Sequence, residues 1–400
     1  MARAYRFALL LSLYLVQGLP YGVQVVALPL YLRERGISRS SIGLLSFLAL
    51  PWLFKLLWAP LVDRFGSERF GRRKSWIVPL QFAFAGAAMA GAAACERGAL
   101  RPMLVTVLVM NLIAATQDIA VDGLAVDVLG RRELGEGNTA QVVGYKIGML
   151  ISGGLLVSLN DVIGWPGIFV GIAVLCLLAP LVVLPFRESP PVEAERPQVL
   201  RELWRAVRAP GTGWLLVFCG TYKVGETMVD AMFKLFLQDW GYPSAQLGAW
   251  FGTYGMAFSI AGSVAGGALA MRWDLLRAVG LTAVARAVSL FGVVALSVTS
   301  PSSGRALAVL CAEHFFAGAL TTAMFAYMMS RVDRRIGASH YTLLATVEVL
   351  GKSPGGWSSG FIVDHYGYPA LFALAAFLSV AYLAVFPPMR ASARAVTSPS

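Results

Sequence analysis

Long apolar runs, separated by short polar or basic connections, repeat along the whole chain. A membrane-spanning helix needs ~20 consecutive apolar residues, and these runs have that length. We expect spans at 7–32, 40–61, 75–95, 102–125, 139–160, 166–186, 213–238, 244–271, 276–299, 305–330, 340–363 and 368–388. The pattern therefore predicts an all-α membrane protein with twelve transmembrane helices.

The composition agrees with this pattern and excludes a soluble protein. Of 400 residues, 57% are hydrophobic and 14% are charged, with a mean hydropathy of +0.67. Twelve spans leave no room for a separate soluble domain. The cysteines lie inside apolar runs without paired spacing, so we expect neither disulfides nor a metal site; they are Cys95, Cys176, Cys219 and Cys311.

The basic residues indicate the orientation. With the N-terminus inside, and with Arg277 and Arg305 at span ends counted with the adjoining connections, 21 of the 33 Lys and Arg residues fall in cytoplasmic segments and 6 in external ones. By the positive-inside rule, both termini are expected in the cytoplasm. The net charge of +11 is explained by this asymmetry and requires no nucleic-acid partner.

The longest connection divides the chain into two halves of six spans. We predict an N-terminal half at 1–186, a cytoplasmic linker at 187–212 and a C-terminal half at 213–400. In the linker, apolar residues from Val199 to Val207 share a helical face opposite three arginines, which suits a helix at the membrane surface or a plain solvated linker. Six plus six spans are typical of the major facilitator fold, with two pseudo-symmetric halves.

Twelve ionisable residues lie within the predicted spans, six basic and six acidic. A charge at bilayer depth costs at least ~2.5 kcal/mol, so such groups are expected to pair and to face a cavity. Only Arg286 lies on a span that is expected at the periphery of the helix bundle; the other eleven lie on spans expected to line or border the central cavity. The others are Lys55, Lys146, Lys223, Lys234, Lys352, Asp118, Asp122, Glu226, Asp230, Glu313 and Glu348.

On the fourth span, Asp118 and Asp122 share a face, and Lys146 on the fifth span is expected at the depth of Asp118. Two carboxylates sharing one cation are typical of a proton carrier. A static ion pair that joins two helices is the alternative.

The seventh span carries a charged stripe at helical spacing, consisting of Lys223, Glu226, Asp230 and Lys234. The stripe could bind a charged solute, carry a proton on Glu226 or Asp230, or lock the helix to its neighbours.

Further candidate binding residues lie on other spans. Tyr14, Gln17, Tyr21 and Gln24 form one polar face of the first span. On the tenth span Glu313 precedes His314, a possible proton partner.

On the eleventh span, Glu348 and Lys352 directly precede Ser353-Pro-Gly-Gly356, which predicts a break in the helix. The GxxxG spacings Gly248/Gly252, Gly262/Gly266 and Gly351/Gly355 predict close helix packing.

Four segments in the first third of the chain resemble one branch of the major facilitators, the AmpG-type muropeptide permeases and acetyl-coenzyme A transporters. They are QGLPYG (17–22), KLLWAPLVD (55–63), FGRRKSW (70–76) and TQDIAVDG (116–123). The resemblance implies proton-linked symport of a bulky anionic solute, either acetyl-coenzyme A-like or an anhydromuropeptide. It also implies a conformational gate at Asp63, Arg64, Gly71, Arg72, Arg73 and Lys74, and an internal polar motif at Gln117, Asp118 and Asp122.

We therefore expect a secondary transporter working by alternating access, in a bacterial inner membrane. We expect a monomer whose partners are an anionic solute, protons and lipid, with no cofactor or metal. Three histidines, no zinc spacing and no nucleotide-binding loop argue against an enzyme. A non-transporting membrane receptor or scaffold, and a drug or lipid exporter of the same fold, are the alternatives.

Overall fold

The computed structural model describes residues 3–37, 44–67, 69–188, 198–299 and 302–397. Within these ranges the regular secondary structure is helical, and the only β pairing is an isolated bridge between Ser67 and Gly71. The all-α prediction is confirmed. Residues 40–43 of the predicted second span and 189–197 of the predicted linker lie outside the described residues.

The first half of the chain contains long helices, several of them interrupted. The π-helical turns Val23–Ala27 and Ile151–Leu155, and the 3-10 segments Leu44–Ala49, Lys55–Leu57 and Arg131–Glu133, separate or precede α-helices. The α-helices are α1 Arg3–Gly22, α2 Leu28–Glu34, α3 Leu50–Phe54, α4 Ala59–Arg64, α5 Lys74–Glu96, α6 Leu100–Val128, α7 Leu134–Leu150, α8 Leu156–Ser158 and α9 Asn160–Val183.

The second half has the same character. A π-helical segment at Trp250–Gly255 and 3-10 segments at Arg334–Ile336 and Tyr382–Val385 adjoin α-helices. These are α10 Val199–Arg208, α11 Thr212–Thr221, α12 Val224–Asp239, α13 Ser244–Ala249, α14 Met256–Arg272, α15 Leu275–Val298, α16 Ser303–Ser330, α17 Gly337–Ala381 and α18 Phe386–Thr397.

In the described residues, nine helical segments are long and apolar enough to cross a membrane. The last of them, Arg334–Ala391, extends over both the eleventh and the twelfth predicted spans. The second predicted span is absent from the nine because it is broken into short pieces, and the seventh because it is interrupted at Tyr222–Lys223 and rich in charge. The count of twelve stays a prediction.

The predicted helix break at Ser353-Pro-Gly-Gly356 is wrong. Helix α17 continues through this segment, and its non-helical backbone lies at Gly367, with φ of 79°. The glycines serve packing instead: a Cβ at Gly351 would collide with the carbonyl of Gly220, and one at Gly355 would approach that of Val224. Close helix contact therefore accounts for small residues that the sequence suggested were helix breakers.

The chain forms two compact units, each with its own apolar core. Unit 1 comprises Met1–Leu129, Ala140–Glu202 and Val332–Thr342, and unit 2 comprises Gly130–Thr139, Leu203–Arg331 and Leu343–Ser400. The unit 1 core includes Leu19, Phe84 and Met110, and that of unit 2 includes Phe233, Phe236 and Phe372. The proposed division at 187–212 into two six-span halves stays a prediction.

Glycines allow the closest helix approaches inside each unit. In unit 1, a Cβ at Gly148 on α7 would collide with the Leu15 carbonyl of α1. In unit 2, Gly262 and Gly266 on α14 lie in the same way against backbone carbonyls of α16. The packing prediction thus holds for Gly262/Gly266, whereas a Cβ at Gly248 or Gly252 would meet open space.

Candidate functional site

A buried polar cluster in unit 1 surrounds the two aspartates of α6. The ammonium of Lys55, in the 3-10 turn before α4, forms an ion pair with Asp118. One turn further along α6, Asp122 Oδ1 accepts hydrogen bonds from the Tyr14 hydroxyl at 2.8 Å and from Gln141 Nε2 at 3.2 Å. We call these five residues the Asp122 cluster; it joins α1, α6 and α7 to the turn at Lys55.

The other polar candidates of α1, α6 and the π-helical turn Val23–Ala27 have diverse environments. Gln24 is tied to two neighbouring segments, donating to the Leu45 carbonyl and accepting from Asn111, each at 3.0 Å. Gln17 and Gln117 are each 1% exposed, and their amide groups have no hydrogen-bond partner among the described residues. Buried amides of this kind are candidates for contacts with water or solute.

Two further candidates in unit 1 are less buried. The Tyr21 ring lies 6.0 Å from that of Tyr145 and is 38% exposed. Lys146 is half-buried on α7. Asp118 pairs with Lys55, and the expected contact between Asp118 and Lys146 stays a prediction.

In unit 2, two lysines share one carboxylate. Lys223 Nζ lies 3.0 Å from Glu348 Oε1, and Lys352 Nζ lies 3.4 Å from the same oxygen. The hydroxyl of Tyr222 donates to Glu348 Oε2 at 2.8 Å. This Glu348 cluster forms at the interruption between α11 and α12, because the turn at Tyr222–Lys223 directs both side chains toward α17.

A second cluster in unit 2 surrounds a buried arginine. Arg286 on α15 is 1% exposed; its guanidinium pairs with Glu313 on α16, and its Nε lies 3.3 Å from Glu226 Oε2 on α12. His314 Nδ1 lies 2.6 Å from Glu313 Oε2. In this Arg286 cluster, the residue expected on a peripheral span is the central cation.

The charged stripe predicted on the seventh span is divided among these clusters. Lys223 belongs to the Glu348 cluster and Glu226 to the Arg286 cluster, whereas Asp230 and Lys234 are exposed on α12. Because α12 begins only at Val224, Lys223 precedes the helix on which regular spacing placed it.

The predicted gate residues meet at the start of α5. Asp63 Oδ1 lies 2.9 Å from Arg73 Nη1, and Arg73 Nε lies 3.0 Å from Asp127 Oδ2. Burial lowers the pKa of Arg73, but the carboxylates of Asp127 and Asp63 more than offset it and raise the pKa above its usual value. Asp63 also accepts hydrogen bonds from the backbone N–H groups of Ala338 (3.3 Å) and Ser339 (2.7 Å), at the N-terminal end of α17, where a negative charge is favourable.

A second carboxylate fixes the loop before α5. Glu188 accepts hydrogen bonds from the backbone N–H groups of Arg73 and Lys74, at 2.9 and 2.6 Å. Gly71 has φ of 110°, and a Cβ there would meet the Glu188 carboxylate, so this turn favours glycine. Arg72 donates to the Asp63 carbonyl, while Arg64 is exposed on α4.

Sequence reasoning missed several members of these clusters. Gln141 and Tyr222 are neutral residues in apolar runs, and no spacing distinguished them from interior polar residues. Asp127 and Glu188 follow spans, where acidic residues are unremarkable. Their roles depend on contacts between helices that are distant in sequence.

Comparisons with known proteins agree with the observed helices. The family model of the Major Facilitator Superfamily matches residues 10–335. The anhydromuropeptide permease of Escherichia coli (strain K12) is 30% identical over 380 residues, covering 93% of this chain and 77% of that protein.

Solved structures show the same fold. The transporter FucP in the outward conformation superposes with a TM-score of 0.77 at 14% identity, over 96% of this chain and 99% of its own. A bacterial homologue of the iron transporter ferroportin gives 0.73 at 14% identity, over 96% and 99%. The chain is therefore a multi-pass membrane protein of the Major Facilitator Superfamily and belongs to its AmpG-type permease branch.

Proposed function

We propose that this protein is a proton symporter that carries a bulky anionic metabolite of the anhydromuropeptide type across a bacterial inner membrane by alternating access. The observation that carries the proposal is the opposite charge balance of two clusters. Among the ion pairs of the described residues, Lys223 and Lys352 share the carboxylate of Glu348, whereas Lys55 pairs with Asp118, one turn from the second carboxylate, Asp122.

Each imbalance favours a ligand of the opposite charge. An uncompensated charge at bilayer depth costs at least ~2.5 kcal/mol, so the Glu348 cluster gains from an anionic group and the Asp122 cluster from a proton. The Escherichia coli relative is named an anhydromuropeptide permease, and a muropeptide is a peptide-bearing sugar with carboxylates that Lys223 and Lys352 would bind. Asp118 and Asp122 would carry the proton, with Glu226 and Asp230 as further candidates.

The contact of Asp63 with α17 has the role of a gate in this proposal. Breaking the hydrogen bonds to Ala338 and Ser339 would free this end of α17. Arg72 and Arg73, which pair with Asp63, would hold its carboxylate in place so that the contact re-forms in each cycle, and Lys74 would keep the loop attached to Glu188. The proposal includes twelve spans, cytoplasmic termini and a monomeric state.

Transport into proteoliposomes tests the proposal. An anhydromuropeptide and acetyl-coenzyme A are supplied side by side under an imposed pH gradient, with and without a protonophore. We expect gradient-driven accumulation of the anhydromuropeptide that the protonophore abolishes. Accumulation of acetyl-coenzyme A alone would change the substrate class, and saturable binding without flux would favour a receptor.

A charge-neutral variant tests the anion site. We expect Lys223→Gln to weaken binding of the anhydromuropeptide by at least about tenfold, since a hydrogen bond to a charged group contributes ~1.5–3 kcal/mol. Binding to purified protein is measured by calorimetry. Lys234→Gln removes the same charge from the exposed side of α12 and is expected to have a much smaller effect. Equal losses in both variants would mean that positive charge along this span in general, and not the Glu348 cluster, holds the anion.

A further inference from the structure

A chain of hydrogen bonds leaves the Asp122 cluster toward α17. The Gln141 amide donates to Asp122 and, through Oε1, accepts from the Tyr341 hydroxyl at 3.3 Å. Asp122 and Tyr341 are 2% and 1% exposed, and Gln141 is buried between them. Buried polar groups that satisfy one another in this way have defined orientations.

The two sides of the Gln141 amide are not equivalent. Its nitrogen only donates and its oxygen only accepts. A charged Asp122, which only accepts, therefore directs the nitrogen toward itself and leaves the oxygen for Tyr341. The charge of Asp122 thus determines which group the Tyr341 hydroxyl meets.

Tyr341 belongs to the first turns of α17, which also carry the gate contact. Ser339, two residues earlier, donates its backbone N–H to Asp63 at 2.7 Å, and Ala338 donates at 3.3 Å. The same short stretch of helix is therefore held at one side by Asp63 and at the other by Gln141.

We propose that Gln141 and Tyr341 are positioning residues that couple the charge of Asp122 to the contact between Asp63 and α17. The inference rests on the proposed function, because it links proton binding to gate opening in that cycle. Charged Asp122 accepts a charge-assisted hydrogen bond from Gln141, which is about twice as strong as a neutral one. A proton on Asp122 weakens this bond and frees the amide to turn. Its Oε1 then withdraws from the Tyr341 hydroxyl, so one contact that positions the first turns of α17 is lost and the gate contact opens more readily.

Other titratable groups lie close to these residues, and their effect on the pH dependence of the gate must be distinguished from that of Asp122. Lys55, Asp118 and Tyr14 neighbour Asp122; Arg72, Arg73 and His340 neighbour Asp63. His340 follows Ser339 directly, and its Nδ1 accepts from the backbone N–H of Asp333. A His340→Asn variant therefore has to be included in any measurement of pH dependence at the gate.

A single cysteine at the gate reports its opening. Ser339 is fully buried, and its hydroxyl has no partner among the described residues, so Ser339→Cys keeps the backbone hydrogen bond to Asp63. The four native cysteines are buried. After the label taken up by the protein with only its native cysteines is subtracted, the labelling rate with a maleimide in proteoliposomes is divided by the rate in SDS at each pH, which removes the titration of the thiol itself.

We expect Ser339→Cys to label about tenfold faster at mildly acidic than at mildly alkaline pH, as a charge-assisted hydrogen bond is lost. Adding Asp122→Asn, Gln141→Leu or Tyr341→Phe should give fast labelling that no longer depends on pH. Tyr382→Phe removes another buried hydroxyl, which bonds only the Ala283 carbonyl in the described structure, and should leave the pH dependence intact. His340→Asn should also leave it intact.

The inference is overturned if labelling keeps the pH dependence of Ser339→Cys when Tyr341→Phe or Gln141→Leu is added to it. It is equally overturned if the labelling rate of Ser339→Cys itself does not depend on pH, or if adding His340→Asn alone removes the pH dependence. Labelling requires no substrate, so uptake measured on the same proteoliposomes separates the two proposals. Intact proton-driven uptake with an unresponsive gate would contradict only the coupling, whereas absence of uptake would contradict the proposed function whatever the labelling.

Discussion

Asp122→Asn is expected to abolish uphill accumulation of substrate under a pH gradient while leaving counterflow exchange. The asparagine cannot bind or release a proton, yet its neutral side-chain oxygen can still accept, more weakly than the carboxylate, from Tyr14 and Gln141, which both donate to Asp122 Oδ1. The cluster therefore keeps its packing and loses its titratable group. Accumulation and counterflow are compared in proteoliposomes containing equal amounts of protein.

Two further variants show whether a loss of accumulation in Asp122→Asn is specific to that carboxylate. Asp239→Asn, at the end of α12 where Tyr368 donates to the carboxylate, should accumulate substrate normally. Asp118→Asn removes the carboxylate that pairs with the Lys55 ammonium and should lower stability as well as transport. Unaltered accumulation in both Asp118→Asn and Asp122→Asn would show that neither carries the coupling proton and would direct attention to Glu226 and Asp230.

Arg286→Met is expected to destabilise the protein by about 3–5 kcal/mol, the usual cost of breaking a buried ion pair from one side. The substitution leaves the carboxylates of Glu313 and Glu226 without their shared cation. Unfolding by SDS in mixed micelles measures the change. Arg277→Met, on an exposed position of the same helix, is the matched control and should have little effect.

A compensating variant identifies the source of this loss. Arg286→Met combined with Glu313→Gln removes one charge of each sign, so it should recover a substantial part of the stability lost in the single variant. No recovery would mean that the guanidinium acts mainly through packing or through its bond to the Glu313 carbonyl.

The apolar pattern predicted most of the helices because a membrane helix satisfies its own backbone and is recognised by length and hydropathy. The apolar pattern predicts helices less well in segments that carry charged residues. The segment around Lys223 is interrupted, since a turn there brings Tyr222 and Lys223 to Glu348. At Ser353–Gly356 the opposite error arises, because residues that often break a helix serve close packing within one.

Charge pairing within the membrane could be predicted only in part. The sequence identifies which groups are charged and requires that they be compensated, and helical spacing correctly puts Asp118 and Asp122 one turn apart. It does not bring Lys55 to Asp118, because these two residues lie on different helical segments and their contact depends on how those segments pack. Arg286 illustrates the same point: the packing of α15 against α12 and α16 makes it a central residue.

The charges of the proposed seventh span also constrain how the protein is made. Lys223, Glu226, Asp230 and Lys234 each add up to about 2.5–3.5 kcal/mol to the cost of moving a nascent helix from the translocon into lipid. The counter-charges that offset this cost, Arg286 and the carboxylate of Glu348, are synthesised only later in the chain. This segment must therefore wait at the translocon or at the membrane surface until later helices emerge, so unit 2 would insert cooperatively and not one helix at a time.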